Sequence, residues 1–364
     1  MKALFATTVL AFAGMAAITL ACPRLTPAQT PDGPQTGSQP TQGTTPPPPA
    51  APQKKPDQSG ATISVDVPVV TLEVIATTKN GDILTGLKKE NFRVTDNGVP
   101  QAVTNFGPVE SPITMVMLLE FGGRGYGFFS AYARYWADGL FPYLQQKDWI
   151  ALETFDMKTR LEVDFTQNKD EVRSAINHLY FPGFNESNVF DAILETNERL
   201  KDVKGKKSIL LLASGRDTFS KNTLDQTMKK LRQSDVTIFA VGLGKVFTNA
   251  LESRGSMGSN IDYLQAENQL KTFAQQTGGY AWFPQFTGEI PGIMQSVAGF
   301  LRHQYSLSYS PTTGARDGKF HKVKVDLVAP DGSPLTVVDQ KGKKQKYVVY
   351  SREGYEAPKE GIGN

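Results

Sequence analysis

The sequence contains few of the residues that stabilise small extracellular domains or bind zinc. Cysteine occurs only at Cys22, and the histidines are His178, His303 and His321. A single cysteine excludes a disulfide within the chain, and the histidines show neither H-E-x-x-H spacing nor neighbouring cysteines. We therefore expect each histidine to pack or to lie at the surface rather than to bind a metal ion.

Several patterns of enzymes and nucleic-acid-binding proteins are also missing. No serine lies in a G-x-S-x-G turn, no Ser-His-Asp set is visible by spacing, and the glycines at 122–127 lack the third glycine of G-x-G-x-x-G. The formal net charge is only +3, and the lysines within 341–346 are not interleaved with aromatic residues. These absences disfavour a hydrolase, a nucleotide-binding enzyme and a nucleic-acid-binding protein.

The N-terminus carries an apolar run at 4–20, directly after Lys2. The run is shorter than the roughly 20 residues of a membrane helix and no stop-transfer charges follow it, so residues 1–22 are predicted to be an export signal. Cys22 follows Ala21, an order that resembles a bacterial lipoprotein signal, in which the cysteine becomes the lipidated first residue, although Thr19 replaces the usual leucine. The alternative is ordinary cleavage near Ala21, which leaves a free thiol.

Residues 23–60 consist mainly of Pro, Thr, Gln, Gly and Ala and include four consecutive prolines from Pro46 to Pro49. Such a segment has too few large apolar side chains to offset the entropy lost on folding. We interpret it as an extended, disordered tether between the cell envelope and a folded region.

The folded region is organised around the apolar stretch 113–119 and the loop that follows it. The stretch shows no polar alternation, which predicts a strand buried on both faces in the middle of a parallel sheet. It ends at Glu120 and opens into a glycine-rich loop up to Gly127. The carboxyl end of a central strand borders the usual binding crevice of an open α/β sheet, so we expect Glu120 to border a site.

Predicted strands and helices then alternate, which is typical of a doubly wound α/β fold with a mostly parallel sheet. The strands are predicted at 149–155, 159–165, 208–213, 236–242 and 280–283, and the helices at 168–179, 188–200, 223–231, 261–276 and 290–303. The turn between the strands at 149–155 and 159–165 is too short for a parallel crossover, so we expect the second of these two to run antiparallel at an edge.

Strand patterns flank this region on both sides, in residues 61–110 and 307–356. Partly alternating apolar residues and the turn signals Asn80-Gly81, Asn97-Gly98 and Asp331-Gly332 indicate antiparallel sheets, with one strand predicted at 102–106. The N-terminal segment is too thin to be stable alone. We expect the two segments to form one β-sandwich, with residues 111–306 as an inserted α/β domain and 357–364 as a disordered tail.

Three runs of the chain resemble a von Willebrand factor A (VWA) domain: SNVFDAI from Ser187, then SILLLASGRDTFS and VTIFAVGLG. The chain is similar in particular to an acidobacterial-type subgroup of secreted VWA-related proteins, which share segments like VTLEVIATTKNGDILTGLKKENFRVTDNG, AQQTGG and QYSLSYSPTTGARDGKFHKVKV. The resemblance covers residues 63–355. It implies the Rossmann-like VWA fold and a role in binding other molecules.

The resemblance also implies where a ligand site lies and how it departs from the family. VWA domains bind a divalent cation through Asp-x-Ser-x-Ser, a threonine and a second aspartate. In this chain Glu120 replaces the first aspartate, Gly122 and Arg124 replace the serines, and Ser214 replaces the second aspartate, with Ser187 in place of the threonine. The expected ligand-contact residues are Glu120, Gly122, Arg124, Ser187, Asp191, Ser214 and Asp217.

Three interpretations of these departures stay open. Mg²⁺ needs several oxygen ligands, and two hydroxyls are lost while Arg124 adds a positive charge, so we expect no metal ion and no cofactor. Glu120, Ser187 and Asp217 could instead hold Mg²⁺ in a compensating arrangement. In the third interpretation, Arg124 forms a salt bridge with Glu120 or Asp217 that fills the site. Asp191 is expected to hold a neighbouring loop rather than to take part in chemistry.

Taken together, the sequence predicts a non-enzymatic protein that is exported to the periplasm, outer membrane or cell surface. We expect its carboxyl-end loops to bind a protein or glycan of the cell envelope, with contact to the membrane through a lipid on Cys22 and none to nucleic acid. The alternatives are a metal-dependent adhesion domain with a non-standard site and a hydrolase or nucleotide-binding enzyme that uses the same crevice.

The lipoprotein interpretation predicts the behaviour of a single substitution. When the chain is expressed in a bacterial host, the wild type should partition into the detergent phase, because an acyl chain on Cys22 is strongly apolar. Cys22→Ser should move it to the aqueous phase. Equal partitioning of the two forms would contradict lipidation and leave an exported protein without an anchor.

Overall fold

The computed structural model describes residues 68–107, 112–122, 135–179, 184–246, 260–313, 316–339 and 341–359, with side chains at 260–263 left out. The predicted signal, tether and lipidation site at Cys22, and the site residue Arg124, lie outside these ranges. Within them, no helix is long and apolar enough to cross a membrane.

The described residues form strands β1 to β16 and the helices α1 to α5, besides short 3₁₀ turns and a helical segment at 135–140. The strands are β1 Val70–Thr78, β2 Phe92–Asp96, β3 Val99–Gln101, β4 Asn105–Gly107, β5 Ile113–Glu120, β6 Trp149–Phe155, β7 Thr159–Thr166, β8 Lys206–Ala213, β9 Thr237–Gly242, β10 Ala281–Trp282, β11 Tyr305–Tyr309, β12 Phe320–Leu327, β13 Val337–Val338, β14 Lys344–Gln345, β15 Tyr347–Tyr350 and β16 Gly354–Glu356. The helices are α1 Lys169–Asn177, α2 Val189–Arg199, α3 Leu224–Arg232, α4 Asn260–Thr277 and α5 Ile290–Arg302.

The largest sheet has six strands in the order β10-β9-β8-β5-β6-β7. Its strands pair in parallel except β7, which runs antiparallel to β6 at the edge. The three-residue connection Asp156 to Lys158 explains this, because a parallel crossover needs a dozen or more residues. The predicted doubly wound, mostly parallel sheet is confirmed.

Every residue of β5 and of β8 is buried, because helices cover both faces of the sheet. Side chains along β5 alternate between two cores. Met115, Met117 and Leu119 pack with helical segment 135–140 and α5, whereas Val116 and Leu118 pack with α2 and α4. The uninterrupted apolar run therefore contributes side chains to two hydrophobic cores. It also places the carboxyl end of β5 between the carboxyl ends of its neighbours β8 and β6.

The two ends of the described chain pair with each other in a β-sandwich. One sheet has the order β15-β1-β11-β4 and the other β16-β12-β2-β3, and both are antiparallel. Apolar side chains of the two sheets share one core, which includes Leu72, Val94, Leu307 and Val325. The six-stranded sheet and its helices are thus inserted between β4 and β11, as the flanking strand patterns predict.

The predicted single strand at 102–106 is wrong. The structure has β3 and β4 here, and they belong to different sheets, since β3 pairs with β2 and β4 pairs with β11. Between them the chain crosses from one sheet to the other, and both the N–H and the hydroxyl of Thr104 donate to the Ser308 carbonyl. Local alternation of apolar residues cannot show such a change of partner.

A buried polar cluster lies inside the sandwich, centred on Asp96. Its carboxylate accepts hydrogen bonds from the hydroxyls of Tyr309 and Tyr355, each at 2.9 Å, and contacts His321 Nδ1 at 2.8 Å. Burial, together with the adjacent carboxylate, raises the pKa of both tyrosines, so both remain donors. His321 packs in this cluster, as the sequence predicts for an isolated histidine.

Replacement of Asp96 should destabilise the sandwich strongly. Asp96→Ala leaves three buried polar groups without their acceptor, and we expect a loss of about 4 kcal/mol in the free energy of unfolding. Urea denaturation followed by circular dichroism measures it. Asp326→Ala is the matched control, because Asp326 is partly exposed on β12 and forms a surface ion pair with Lys324 at 2.9 Å, so its loss should be about 0.5 kcal/mol. Equal losses would show that the Asp96 cluster contributes nothing specific.

Candidate functional site

Three loops meet at the carboxyl end of the six-stranded sheet. They are residues 120–122 after β5, 184–188 before α2 and 214–222 after β8. A Cβ atom placed on Gly122 would lie 3.5 Å from the Glu186 carbonyl oxygen, and the Thr218 N–H donates to the Ser187 carbonyl at 2.8 Å. These contacts bring the first loop to the second and the second to the third.

Glu120 lies where these three loops meet, a place that we call the crevice, and its carboxylate is buried. Oε2 accepts the Ser214 N–H at 2.6 Å, and the Ser214 hydroxyl lies 3.1 Å from Oε1. Burial raises the pKa of Glu120, while these hydrogen bonds, the Ser187 hydroxyl and the charge of Arg216 act in the opposite direction. Both carboxylate oxygens are therefore used to hold the loop that follows β8.

Ser187 is the other buried group that faces Glu120. Its N–H donates to Thr218 Oγ1 at 2.9 Å, and its carbonyl accepts the N–H groups of Thr218 and Phe219. The Ser187 hydroxyl is near enough to lower the pKa of Glu120, but within the described ranges it makes no hydrogen bond of ordinary geometry. A buried hydroxyl without such a bond is uncommon and marks a place where a ligand atom can bind.

Asp217 does not face Glu120 but the N-terminus of α2. Its Oδ1 accepts the Ser220 hydroxyl at 2.5 Å and lies 3.5 Å from the Phe190 N–H, in the first turn of that helix. Burial raises the pKa of Asp217, and the hydrogen bonds from Ser220 and Phe190 offset this rise only in part. Asn188, at the N-cap position, makes no side-chain cap, so the third loop supplies the acceptors that the helix start needs.

Asp191 holds the neighbouring loop, as the sequence predicts. Its carboxylate accepts the backbone N–H groups of Lys221 and Asn222, at 2.8 and 3.0 Å, and the Asn222 side-chain amide at 2.7 Å. Burial works against the charge of Asp191, but these three hydrogen bonds outweigh it and lower the pKa. Asp191 is therefore committed to structure and is not directed into the crevice.

Gly215 allows the third loop to turn between Ser214 and Arg216. Its φ is +83°, and a Cβ atom at this position would lie 2.7 Å from the Ala266 carbonyl oxygen in α4. Only glycine fits both the left-handed backbone and the contact with α4. The sequence does not reveal this requirement, because Gly215 looks like an ordinary turn residue.

The rim of the crevice carries exposed apolar side chains that the sequence analysis missed. Phe184 is 43% exposed on the second loop, and Phe219 is 48% exposed on the third. Phe219 is adjacent to Ser187 through its N–H bond to the Ser187 carbonyl. Alternation and spacing give no signal for single aromatic residues in loops, so only the structure identifies this rim.

The structure thus divides the predicted site residues into two groups. Glu120, Gly122, Ser187 and Ser214 come together in the crevice, whereas Asp191 and Asp217 bind the loop and helix beside it. Arg124 lies outside the described residues. Across the described part of the chain, no group of three or more His, Cys, Asp or Glu side chains is arranged to hold a metal ion.

Comparison with known protein families gives one match. Residues 137–276 match the model of the von Willebrand factor type A domain. The matched residues run from the helical segment 135–140 to the last turn of α4, and they include Ser187, Asp191, Ser214 and Asp217. The match begins after β5, so the segment from Glu120 to Arg124 lies outside it. No curated protein sequence matches the chain.

Among solved structures, the chain is similar to the vWF domain of the type V pili tip protein Mfa5 from Porphyromonas gingivalis, with 10% identity, 53% of this chain and 95% of that chain covered, and a TM-score of 0.39. It is also similar to a von Willebrand factor type A protein from Catenulispora acidiphila, with 9% identity, coverage of 82% and 76%, and a TM-score of 0.42. Because these identities and TM-scores are low, the two structures carry no argument. The assignment of residues 137–276 to the von Willebrand factor type A family rests on the family match and the strand order.

The buried carboxyl of Glu120 predicts a pH-dependent stability. Because its folded pKa is raised above the ordinary value of a glutamate, the ionised form costs stability at neutral pH, and this cost disappears as pH falls through the folded pKa. Glu120→Gln keeps an acceptor for the Ser214 N–H and a donor for the Ser214 hydroxyl. We expect the variant to equal or exceed the wild type at pH 8, and the wild type to gain on it as pH falls to 5.

Urea denaturation of both proteins at pH 8, 7, 6 and 5 measures this difference. Glu186→Gln is the control, since Glu186 is exposed in the second loop. A stability difference between wild type and Glu120→Gln that does not change with pH would show that Glu120 titrates normally.

Proposed function

We propose that this chain, which carries a von Willebrand factor type A domain at residues 137–276, is an exported, cell-envelope-associated protein that binds a protein or glycan ligand without a metal ion. The ligand binds at the crevice formed by Glu120, Gly122, Ser187 and Ser214 and at the apolar rim around it. The proposal is carried by one observation, which is that the carboxylates of this region already have internal partners.

The hydrogen bonds of these carboxylates support a metal-free site. Both oxygens of Glu120 contact Ser214, and Asp217 Oδ1 accepts the Ser220 hydroxyl and lies 3.5 Å from the Phe190 N–H at the start of α2. A hard cation such as Mg²⁺ requires near-octahedral oxygen ligands, and in the described part of the second loop the buried side-chain oxygens without an ordinary hydrogen bond are those of Ser187 and Asn188, which are too few. Arg216 also places a positive charge within range of Glu120. The donor set does not fit a divalent cation.

The rim supports binding to a macromolecule. Phe184 and Phe219 expose aromatic rings on two loops that meet at the crevice, and aromatic residues dominate the binding energy of many protein interfaces. Glycans also stack on such rings. An apolar rim around a few buried polar groups is a common arrangement for a binding site.

A metal-dependent adhesion site is the second candidate. It is favoured by the Ser187 hydroxyl, which is buried beside Glu120 without an ordinary hydrogen bond, as an oxygen ligand of a cation would be. This candidate needs Glu120 to release Ser214 and Asp217 to release Ser220. Those rearrangements would expose the N-terminus of α2, which makes the metal-free site the better supported of the two.

A capture experiment tests the proposal. The purified chain is immobilised and exposed to envelope extract of the source cells, and bound protein and glycan are quantified with and without EDTA. We expect capture to persist in EDTA and to fall about tenfold in the double variant Phe184→Ala, Phe219→Ala, because the loss of two aromatic anchors removes about 1.4 kcal/mol or more.

The matched control is Tyr143→Ala. Tyr143 is 48% exposed but precedes β6, at the opposite end of the sheet, so its loss should not change capture. Capture that EDTA abolishes, together with a micromolar Mg²⁺ site by calorimetry that Glu120→Ala removes, would establish the metal-dependent candidate. Equal capture by both aromatic variants would move the binding surface away from the crevice.

A further inference from the structure

A second cavity lies beside the first residues of β8 and β9, where the inserted domain meets the sandwich. It is a chamber of about 40 Å³ lined by Glu73 of β1, Lys206 and Lys207 of β8, Asp235 before β9 and Arg352 after β15, and by threonines of the same elements and α4. We call it the junction chamber. A surface groove of about 410 Å³ between the C-terminal ends of α2 and α3 shares Lys207 and Asp235 with it.

Arg352 brings an incompletely compensated positive charge to this chamber. The guanidinium is buried, and one terminal nitrogen donates to the Ser234 carbonyl, but Nε makes no hydrogen bond to any described residue. Burial lowers the pKa of Arg352, and Asp235 offsets this only in part. An arginine side chain has no acceptor capacity, so a group with a lone pair that enters the chamber would satisfy the Nε–H that no described residue accepts.

The neighbouring charges do not supply that acceptor. Asp235 forms an ion pair with Lys207 at 3.0 Å, and the Lys207 ammonium also donates to three carbonyls near the end of α2. Lys206 donates to the Gln304 carbonyl at 2.7 Å. Glu73 has one carboxylate oxygen without a partner in the described part of the chain, and burial raises its pKa against the opposing effect of the Lys206 charge.

We propose that the junction chamber is a binding site for a small monovalent anion, such as a halide, nitrate or a short carboxylate, held by Arg352 Nε and the Lys206 ammonium. Three cations and two carboxylates line the chamber, so an added negative charge balances it. A water molecule needs about 10 to 15 Å³ of such volume, so the chamber holds about three water-sized groups. The anion enters beside Asp235, which is largely exposed and borders the groove.

Thermal unfolding of the purified chain tests this proposal. Chloride, nitrate and acetate are titrated from 0 to 50 mM at constant ionic strength, with the bulky buffer anion 2-(N-morpholino)ethanesulfonate making up the balance. We expect a saturable rise in the midpoint of about 2 to 4 °C at tenfold excess over Kd for the small anions. A larger rise with acetate than with chloride would assign the site to carboxylates.

Two neighbouring variants should change the apparent Kd in opposite directions. Arg352→Lys removes the Nε donor and should raise Kd about tenfold, whereas Glu73→Gln removes an opposing charge from the same chamber and should lower Kd about fivefold at pH 7.5. Arg93→Lys is the control, because Arg93 is exposed on β2, and it should leave Kd unchanged.

The Glu73→Gln variant keeps the test decisive even if Arg352→Lys does not fold, since a tighter Kd requires a folded chamber. A midpoint that rises equally and without saturation for the small anions and the bulky sulfonate would overturn the proposal and leave the chamber filled by water. Changes of Kd in the same direction for both variants would also overturn it.

Discussion

The pairing of β1 with β11 is the constraint on which the rest of the structure depends. It joins Val70–Val74 to Tyr305–Tyr309 across more than two hundred residues of intervening chain. A contact between residues so distant in sequence costs loop-closure entropy that grows only slowly with length, and the shared core of the two sheets offsets it. Because α5 ends at Arg302 and β11 begins three residues later, this pairing also fixes the position of the last helix of the inserted domain.

The sequence predicts the regular elements well, since their evidence is local. The apolar runs of β5 and β8 identify the middle of the parallel sheet, and the three-residue turn before β7 identifies its antiparallel edge. The change of sheet between β3 and β4 could not be predicted, because it depends on which distant strand each segment meets. The same limit applies to the site. That Asp191 holds a loop follows from its position one turn into a helix, but the orientation of Asp217 depends on the path of its loop through Gly215 and Ser220.

The chemistry of the crevice depends on which hydrogen bonds the Glu120 carboxylate already accepts. Ser214 donates to Glu120 through both its N–H and its hydroxyl. These two hydrogen bonds make the Glu120 carboxylate a link between the first and third loops. Phe184 and Phe219 expose aromatic rings on the second and third loops, so the described surface beside this link offers apolar contact.

The sandwich also determines how the protein responds to mechanical force. β1 is an inner strand, whose first five residues pair with β11 and whose last four pair with β15. A pull along β1 from its N-terminal side therefore loads two ladders in shear, so that many hydrogen bonds must break together rather than one after another. Force that reaches β1 from its N-terminal side is thus resisted by both ladders together, and the strand cannot peel away one hydrogen bond at a time.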